Sequence, residues 1–195
     1  MQQLPGTLSA LREAVAPLAG KVRLWLMDES RFGLRTILRR RITLRGVKPV
    51  GRAQQSRGAF WRYGAADALS GASYFRSFLH LCTANFQAFV DDLHADYPDD
   101  LHRMLLDNSA THHAHALRLP ATLRLHFLPP YSPELNPIER LWQHLKQPLA
   151  GRLPASLGEL QDQLVPLIDA LHEHTVLALI TPAWLQDAVS NAGLP

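Results

Sequence analysis

The chain has 195 residues, 47% of them hydrophobic and 19% charged, which suits one globular domain and excludes wholesale disorder. Its single cysteine excludes an internal disulfide framework and a cysteine-rich zinc module, and no segment has the pattern of a membrane span or a secretory signal, so we expect a cytoplasmic protein. The formal net charge is +3, from 20 Lys and Arg against 17 Asp and Glu, and as a sum it is too small to indicate a partner.

The N-terminal part of the chain predicts a helix followed by a buried strand. Residues 7–18 have the composition of a short helix that ends before a glycine. The apolar run at residues 22–27 predicts a buried strand that ends in a polar turn at residues 28–30. Residues 41–44 are a further candidate strand, in a segment that glycine and proline interrupt.

The middle and C-terminal parts predict a hairpin, two more strands and several helices. Segments 59–69 and 72–81 are expected to form a β-hairpin, followed by a helix that Thr83 or Asn85 caps and that runs to about Tyr97. Beyond residue 100 the predicted elements are strands at 103–106 and 123–128, helices at 112–117 and 137–147, a helix at 156–174 that Pro166 kinks, and a helix at 181–191. This order is typical of a mixed sheet covered by helices.

The cations are concentrated in one part of the sequence. Residues 31–62 contain ten Lys and Arg and no acid, whereas residues 63–123 contain seven aspartates against three arginines. Such a cluster is typical of a surface that binds a polyanion, and nucleic acid is the expected partner; a solvated Arg-rich loop is the alternative. The residues of this window expected to contact DNA are Arg31, Arg35, Arg39, Arg40, Arg41, Arg45, Lys48 and Arg52.

Two of the predicted strands are each followed by an aspartate. Asp28 comes after the run that ends in Met27, and Asp107 comes after the run that ends in Leu106. If the two strands are neighbours, their ends place the two carboxylates side by side, at the edge of the sheet where sites form in α/β proteins. The alternative is that each aspartate only turns the chain. Glu29 is a poorer candidate than Asp28, because successive side chains of a strand point to opposite faces.

A third acid, Glu139, lies at the start of a predicted helix. The order Asn136-Pro137-Ile138-Glu139 suits the cap and the first three helical positions, so Glu139 could serve a capping box as well as a site. Lys146 lies further along the same helix and is another candidate DNA contact. Three converging carboxylates would repel one another, and divalent cations relieve that repulsion. Two Mg²⁺ or Mn²⁺ ions about 3.5–4 Å apart could activate a nucleophile and stabilise the leaving oxygen of a phosphodiester.

Three sequence blocks, LMDESRF, LLDNSATHHA and FLPPYSPELNPIERLWQHLK, follow one another in this order. They resemble the bacterial insertion-sequence branch of the mariner-like DDE transposases, and the last block is the most specific. The resemblance implies an α/β, ribonuclease H-like fold, with a mixed five-stranded sheet flanked by helices. It also implies that Asp28, Asp107 and Glu139 are the catalytic and metal-binding residues.

The resemblance implies a function as well as a fold. It predicts a DNA transposase catalytic domain that hydrolyses phosphodiesters at the ends of an insertion sequence and transfers the strand to a TA target, with Mg²⁺ or Mn²⁺ as the only cofactor. The family's helix-turn-helix region is not readable in the first 20 residues, so we expect a separate recognition subunit or reading frame, and a homo-oligomer in the synaptic complex. The alternatives are a catalytically silent fragment that regulates a full-length transposase, and another ribonuclease H-like nuclease.

The same resemblance suggests a division of the chain and two supporting residues. Residues 1–20 are expected to be an N-terminal helix or linker, residues 21–150 the catalytic domain, and residues 151–195 helices packed on that domain. Asn108 could orient Asp107 or a bound water, or could only form a turn. The histidines after Asp107, namely His112, His113 and His115, lack zinc-site spacing and are expected to pack or to contact DNA. His113 is the one taken as a supporting residue.

Overall fold

The computed structural model describes residues 21–38, 42–48, 50–129 and 136–191, which form one five-stranded sheet with helices on both faces. The strands are β1 (Val22–Gly33), β2 (Ala59–Asp67), β3 (Ser73–Phe78), β4 (Leu101–Leu106) and β5 (Leu123–Phe127). The helices are α1 (Thr83–Asp96), a short 3₁₀-helix (Ala110–His112), α2 (Ile138–Lys146), α3 (Leu157–Asp169), α4 (Glu173–Ile180) and α5 (Ala183–Asn191). The helix expected at 7–18 lies outside the described residues.

The sheet has the order β3-β2-β1-β4-β5 and contains both parallel and antiparallel pairs. Strand β1 is central, antiparallel to β2 and parallel to β4, and β4 in turn pairs in parallel with β5. The crossover from β3 to β4 passes through α1, as a parallel connection requires. The mixed five-stranded sheet predicted from the sequence is therefore confirmed.

Alternating residues of β1 enter two separate hydrophobic cores, one on each face of the sheet. Leu24, Leu26 and Phe32 belong to the core that residues of α2, α3, α4 and α5 complete. Trp25 and Met27 belong to the opposite core, which α1 closes. Full burial of a large apolar side chain stabilises a fold by about 1.5–3 kcal/mol, so both cores hold the sheet between its helices. None of the helices among the described residues has the length and hydropathy needed to cross a membrane.

Strand β1 is longer than the sequence predicted, and the turn expected at residues 28–30 is wrong. Its parallel pairing with β4 ends at Leu26–Leu105, but its antiparallel pairing with β2 continues as far as Gly33–Ala59. The backbone hydrogen bonds of this second half are satisfied by β2, so its polar side chains do not end the strand. Asp28 consequently lies within an extended strand and not in a turn.

Two predicted elements around the central strands are corrected. The strand expected at 41–44 is not formed over its described residues, 42–44, which lie in the irregular segment between β1 and β2. The helix expected at 112–117 is replaced by the 3₁₀-helix Ala110–His112. The β2–β3 hairpin is confirmed, and its turn requires Gly71, which has a φ of +80° and whose added Cβ would lie 2.3 Å from the Glu173 carbonyl oxygen.

The helix ends also differ from the expectation. The N-cap of α1 is Cys82, and the predicted caps Thr83 and Asn85 both lie inside the helix; the Asn85 side-chain Nδ2 donates to the His80 carbonyl oxygen at 2.7 Å. The single helix expected at 156–174 is two helices, α3 and α4, which both contribute buried residues to one core. Pro166 lies inside α3, and the break comes after Asp169.

The remaining C-terminal boundaries agree with the sequence more closely. Ser156 caps α3 by accepting a hydrogen bond from the Glu159 backbone N–H at 3.1 Å. Helix α5 begins at Ala183, directly after Pro182. Side chains from all three C-terminal helices lie in the core that covers one face of the sheet.

Candidate active site

Asp28 lies on β1 on the face of the sheet that α2 covers. The indole Nε1 of Trp142 donates a hydrogen bond of 3.0 Å to Asp28 Oδ2. Burial raises the pKa of Asp28 to about 7, and the negative charges of Glu139 and Glu29 add to this effect. The Asp28 carboxyl is therefore held in a position where its charge is unfavourable unless a cation is close.

The Trp142 indole reaches Asp28 because the opposing residue of β2 has no side chain. Gly64 is paired with Asp28 in the sheet, and a Cβ at Gly64 would lie 2.5 Å from the Trp142 ring. The ring is also held edge-on by Phe32 and Phe75, at centroid distances of 6.2 and 5.8 Å. Gly64 therefore provides the space that the tryptophan occupies.

Asn136 connects the start of α2 to the central strand. Its side-chain Nδ2 donates to the Met27 carbonyl oxygen at 2.9 Å, and its Oδ1 accepts from the Ile138 N–H at 3.4 Å. The residue is buried, and the helix begins after Pro137. The sequence predicted Asn136 as the cap, which is wrong, because Pro137 is the N-cap; the Asn136 side chain instead bonds to the peptide that precedes Asp28.

Glu139 lies in the first turn of α2, and Lys146 lies in its last turn. The charge of Glu139 raises the pKa of Asp28. Burial lowers the pKa of Lys146, while the charges of Glu139 and Asp28 act in the opposite direction. Lys146 is thus a half-buried ammonium beside two acids, and its Nζ also lies 5.3 Å from the centre of the Phe32 ring.

Asp107 follows β4 directly, on the strand next to the one that carries Asp28. The last aligned parallel pair is Leu26–Leu105, and Asp28 and Asp107 each lie two residues further along their chains. The side chain of Asp107 is 56% exposed, and its Oδ1 accepts from the Ser109 N–H at 3.1 Å. Asp28 and Asp107 therefore extend from neighbouring strands, and the side chain of Asp107 is the one exposed to solvent.

A second contact of Asp107 was not predicted from the sequence. His112 Nδ1 lies 3.1 Å from Asp107 Oδ1, and His112 Nε2 lies 2.9 Å from Glu29 Oε1. Ligand atoms of these three residues all lie within 4.8 Å of one another, so they form a group that could hold a metal ion. Asp28, Asp107 and Glu139 are not brought together at that spacing in the described structure. Glu29 faces the α1 side of the sheet, opposite Asp28, as the alternation of β1 predicted.

The two supporting residues proposed from the sequence contact each other. His113 Nε2 is hydrogen-bonded to Asn108 Oδ1, and the His113 ring stacks on Phe127 at a centroid distance of 3.9 Å. Both residues are exposed. The histidine that contacts Asp107 is His112, and the only signal for it in the sequence was its place in the block that follows the aspartate.

The basic residues of the 31–62 window lie mainly on the irregular segment between β1 and β2. The exposed members of the proposed DNA-contacting set that the structure describes are Arg31, Arg35, Arg45, Lys48 and Arg52. Arg39, Arg40 and Arg41 fall outside the described residues. Arg31 is three residues beyond Asp28 on β1, and its guanidinium donates to the Arg57 carbonyl oxygen at 3.3 Å. The cationic segment therefore begins on the same strand that carries Asp28.

Comparison with known proteins gives a family and a fold. Residues 23–161 match the model of a family described as DDE superfamily endonuclease. An uncharacterized protein, y4pE/y4sA of Sinorhizobium fredii (strain NBRC 101917 / NGR234), is 37% identical over 65 residues, which are 33% of this chain and 48% of that protein. The match thus spans about half the length of this curated relative.

Solved structures that resemble the chain include two complexes of Mos1. The Mos1 strand transfer complex matches with a TM-score of 0.68 and 20% identity, over 100% of this chain and 62% of that one. The mariner Mos1 paired end complex with Mg matches with a TM-score of 0.61 and 18% identity, over 98% of this chain and 60% of that one. The fold is the ribonuclease H-like fold that the sequence predicted.

Proposed function

This chain belongs to the DDE superfamily endonucleases, and from that premise we propose that it is the catalytic domain of a DNA transposase. Its reactions would be phosphodiester hydrolysis at the ends of an insertion sequence and transfer of the freed strand into target DNA. The observation that carries the proposal is the placement of Asp28 and Asp107 two residues beyond the same aligned pair of parallel strands. The charge of Glu139 acts on Asp28 from the facing helix.

The donor chemistry of these three residues fits Mg²⁺ or Mn²⁺. Carboxylate oxygens are hard donors, which these ions prefer over nitrogen or sulfur. The raised pKa of Asp28 is the signature of a buried acid with other acids nearby, and a divalent cation would relieve that conflict. Two divalent ions held by Asp28, Asp107 and Glu139 would activate the attacking oxygen and stabilise the leaving oxygen of a phosphodiester.

The chain's own residues would orient the acids and the substrate. The Trp142 indole fixes Asp28, and the Asn136 amide fixes the start of the helix that carries Glu139. Water would attack phosphorus at the element end, and the bond to the 3′ oxygen would break to leave a 3′-OH. That 3′-OH would then attack a target phosphodiester in line and displace its 3′ oxygen, so no external energy source is required.

DNA would approach along the cationic segment between β1 and β2. Its arginines and lysine would bind backbone phosphates, which contributes affinity without selecting a sequence. Choice of the element ends would come from a separate helix-turn-helix subunit or reading frame, and the active form would be a homo-oligomer that holds paired ends. Mos1, which has a similar fold, is known as a paired end complex with Mg, and this supports both the metal and the assembly as proposals for this chain.

The proposal is tested by a nicking assay on DNA that carries the element ends, with Mg²⁺ or Mn²⁺ and with the proposed recognition subunit added. Wild type should cleave, and Asp107→Ala should lose cleavage. A matched control is Asp99→Ala, which removes an exposed aspartate before β4, at the opposite end of that strand from Asp107. If wild type is as inert as Asp107→Ala, the catalytic proposal fails and the silent regulatory fragment replaces it.

A further inference from the structure

A buried imidazole joins the strand that carries Asp28 to the loop that carries Asp107. The His112 side chain is 0% exposed and that of Glu29 is 8% exposed, while Asp107 is more than half exposed. Glu29 lies on β1, and His112 ends the 3₁₀-helix that follows Asp107. The three side chains therefore form a continuous series of contacts from the buried Glu29, through His112, to the exposed Asp107.

Each ring nitrogen of His112 faces an oxygen acceptor. Nε2 meets the Glu29 carboxylate at 2.9 Å, and Nδ1 meets Asp107 Oδ1 at 3.1 Å and the Asp107 carbonyl oxygen at 3.3 Å. Both ring nitrogens are therefore within hydrogen-bonding distance of carboxylate oxygens, and the ring lies directly between Glu29 and Asp107.

The position of His112 is fixed by contacts on several sides. Its ring packs against Phe86 of α1 at a centroid distance of 4.4 Å. Its backbone N–H donates to the Ser109 carbonyl oxygen at 3.0 Å. Glu29 is paired in the sheet with Tyr63, a fully buried residue of β2. The imidazole is therefore anchored by rigid elements, whereas the exposed Asp107 carboxylate has, besides His112, a hydrogen bond from the Ser109 N–H of the loop.

We infer that His112, held by Glu29, is a positioning residue that fixes the conformation of the Asp107 carboxylate and so prepares it as a metal ligand. This inference rests on the proposed function, since it assigns Asp107 as a ligand. An exposed carboxylate that must be ordered by the ion itself binds more weakly, because its rotamer entropy is lost on binding. Hydrogen-bond partners of ligating side chains typically change metal affinity by about 10–100-fold when they are removed.

Two amide substitutions separate the two ends of the imidazole. The side-chain amide of Asn lies near the position of His Nδ1, so His112→Asn keeps a donor for Asp107 and loses the bond to Glu29. The amide of Gln lies near the position of Nε2, so His112→Gln keeps the bond to Glu29 and loses the donor for Asp107. A matched control is His115→Asn, which changes an exposed histidine three residues further along the same loop.

The measurement is Mn²⁺ affinity of the apoprotein by calorimetric titration, without DNA, with the melting temperature of each variant recorded alongside. We expect His112→Gln to weaken Mn²⁺ binding by about tenfold or more. His112→Asn should remain much closer to wild type, and His115→Asn should match it. Glu29→Gln preserves the shape of Glu29 but removes its charge, so it should weaken Mn²⁺ binding less than His112→Gln does. This variant replaces the histidine variants in the test if they do not fold.

Unchanged Mn²⁺ affinity in His112→Gln, or in Glu29→Gln where the histidine variants do not fold, would overturn the inference. Equal losses of Mn²⁺ affinity in His112→Asn and His112→Gln would also overturn it, because a purely structural role does not depend on which ring nitrogen is replaced. If wild type cleaves DNA while these results are obtained, the proposed function stands and the inference alone fails. If His112→Gln loses Mn²⁺ affinity but wild type never cleaves, the transposase proposal fails and the inference stands, unless the Mn²⁺ ion is found bound to His112 itself, which would overturn the positioning role. A wild type that binds no Mn²⁺ contradicts both.

Discussion

The indole nitrogen of Trp142 donates a 3.0 Å hydrogen bond to Oδ2 of Asp28, and this bond ties α2 to the central strand. It is the direct contact through which α2 orients the buried acid. The same helix carries Glu139, so a change in its position would disturb two of the three proposed metal ligands together. The contact between Trp142 and Asp28 therefore couples the packing of α2 to the conformation of a proposed metal ligand.

Removing only the indole donor should impair cleavage more than stability. Trp142→Phe keeps an aromatic ring in the core and deletes the bond to Asp28. We expect a cost of about 1–2 kcal/mol in the free energy of unfolding and a nicking rate lower by about tenfold. The measurements are chemical denaturation and the nicking assay. Trp184→Phe, in the same core but on α5, is the control and should leave the nicking rate unchanged; equal losses of nicking in both variants would contradict this role.

Filling the space at Gly64 should displace the indole. A Cβ there would lie 2.5 Å from the Trp142 ring, so Gly64→Ala is expected to destabilise the fold by about 1–3 kcal/mol through overpacking. In the Trp142→Phe background, Gly64→Ala should reduce the free energy of unfolding by less, because the smaller phenylalanine ring leaves room for the added methyl group. Denaturant unfolding of the single and double variants measures this coupling. Gly51→Ala has open space around its Cβ and should be neutral, and additive effects at Gly64 and Trp142 would refute the steric link.

The raised pKa of Asp28 predicts that the metal-free protein loses stability as pH rises. The folded-state pKa is about 7 against an ordinary value of 3.8, so the folded state retains a proton that the unfolded state releases. Between pH 4 and pH 7, ionisation of Asp28 should lower the free energy of unfolding by up to about 1.4 kcal/mol per pH unit. Asp28→Asn should flatten this dependence and raise the melting temperature at pH 8.

The pH prediction is checked by thermal melting at pH 4.5, 6 and 8, with and without Mg²⁺. In wild type, Mg²⁺ should recover stability at pH 8, because a cation favours the ionised carboxyl; in Asp28→Asn this gain should shrink. Asp99→Asn, an exposed aspartate, is the matched control. Identical pH profiles for wild type and Asp28→Asn would show that Asp28 ionises normally.

Neutralising the cationic segment should reduce the salt dependence of DNA binding. Each phosphate contact contributes about 0.9 to the slope of log affinity against log salt, so replacing Arg45 and Arg52 by Gln should reduce the slope by up to about 2. The control removes two charges elsewhere, at Lys21 and Arg118, both exposed. Fluorescence anisotropy over a salt series measures the slope. Equal slopes for the two double variants would show that the segment is a solvated loop and does not bind DNA phosphates.

The sequence predicted the sheet better than it predicted the surroundings of the acids. Apolar runs located β1 and β4, and the family-like blocks drew attention to Asp28, Asp107 and Glu139. The extension of β1 to Gly33 was missed because pairing with β2 overrides the polar character of its second half. His112 was missed because its contact with Glu29 joins residues 83 positions apart, which no local pattern reports.

The cap of α1 and the break between α3 and α4 show the same limit. Local side chains favoured Thr83 or Asn85 as the cap, but the helix already begins at Thr83, after Cys82. The apolar spacing across residues 156–174 was continuous, yet the chain breaks after Asp169 and both helices still reach one core. Helix ends depend on where the surrounding groups find partners, and this is set by the tertiary fold.

The most direct test of the central claim is the position of bound Mn²⁺, found from its anomalous diffraction in crystals grown with the ion. The account predicts anomalous density bounded by the carboxylates of Asp28, Asp107 and Glu139, and its loss in Asp28→Asn. Density bounded instead by Glu29, Asp107 and His112, or none at either group in crystals soaked at saturating Mn²⁺, would contradict it.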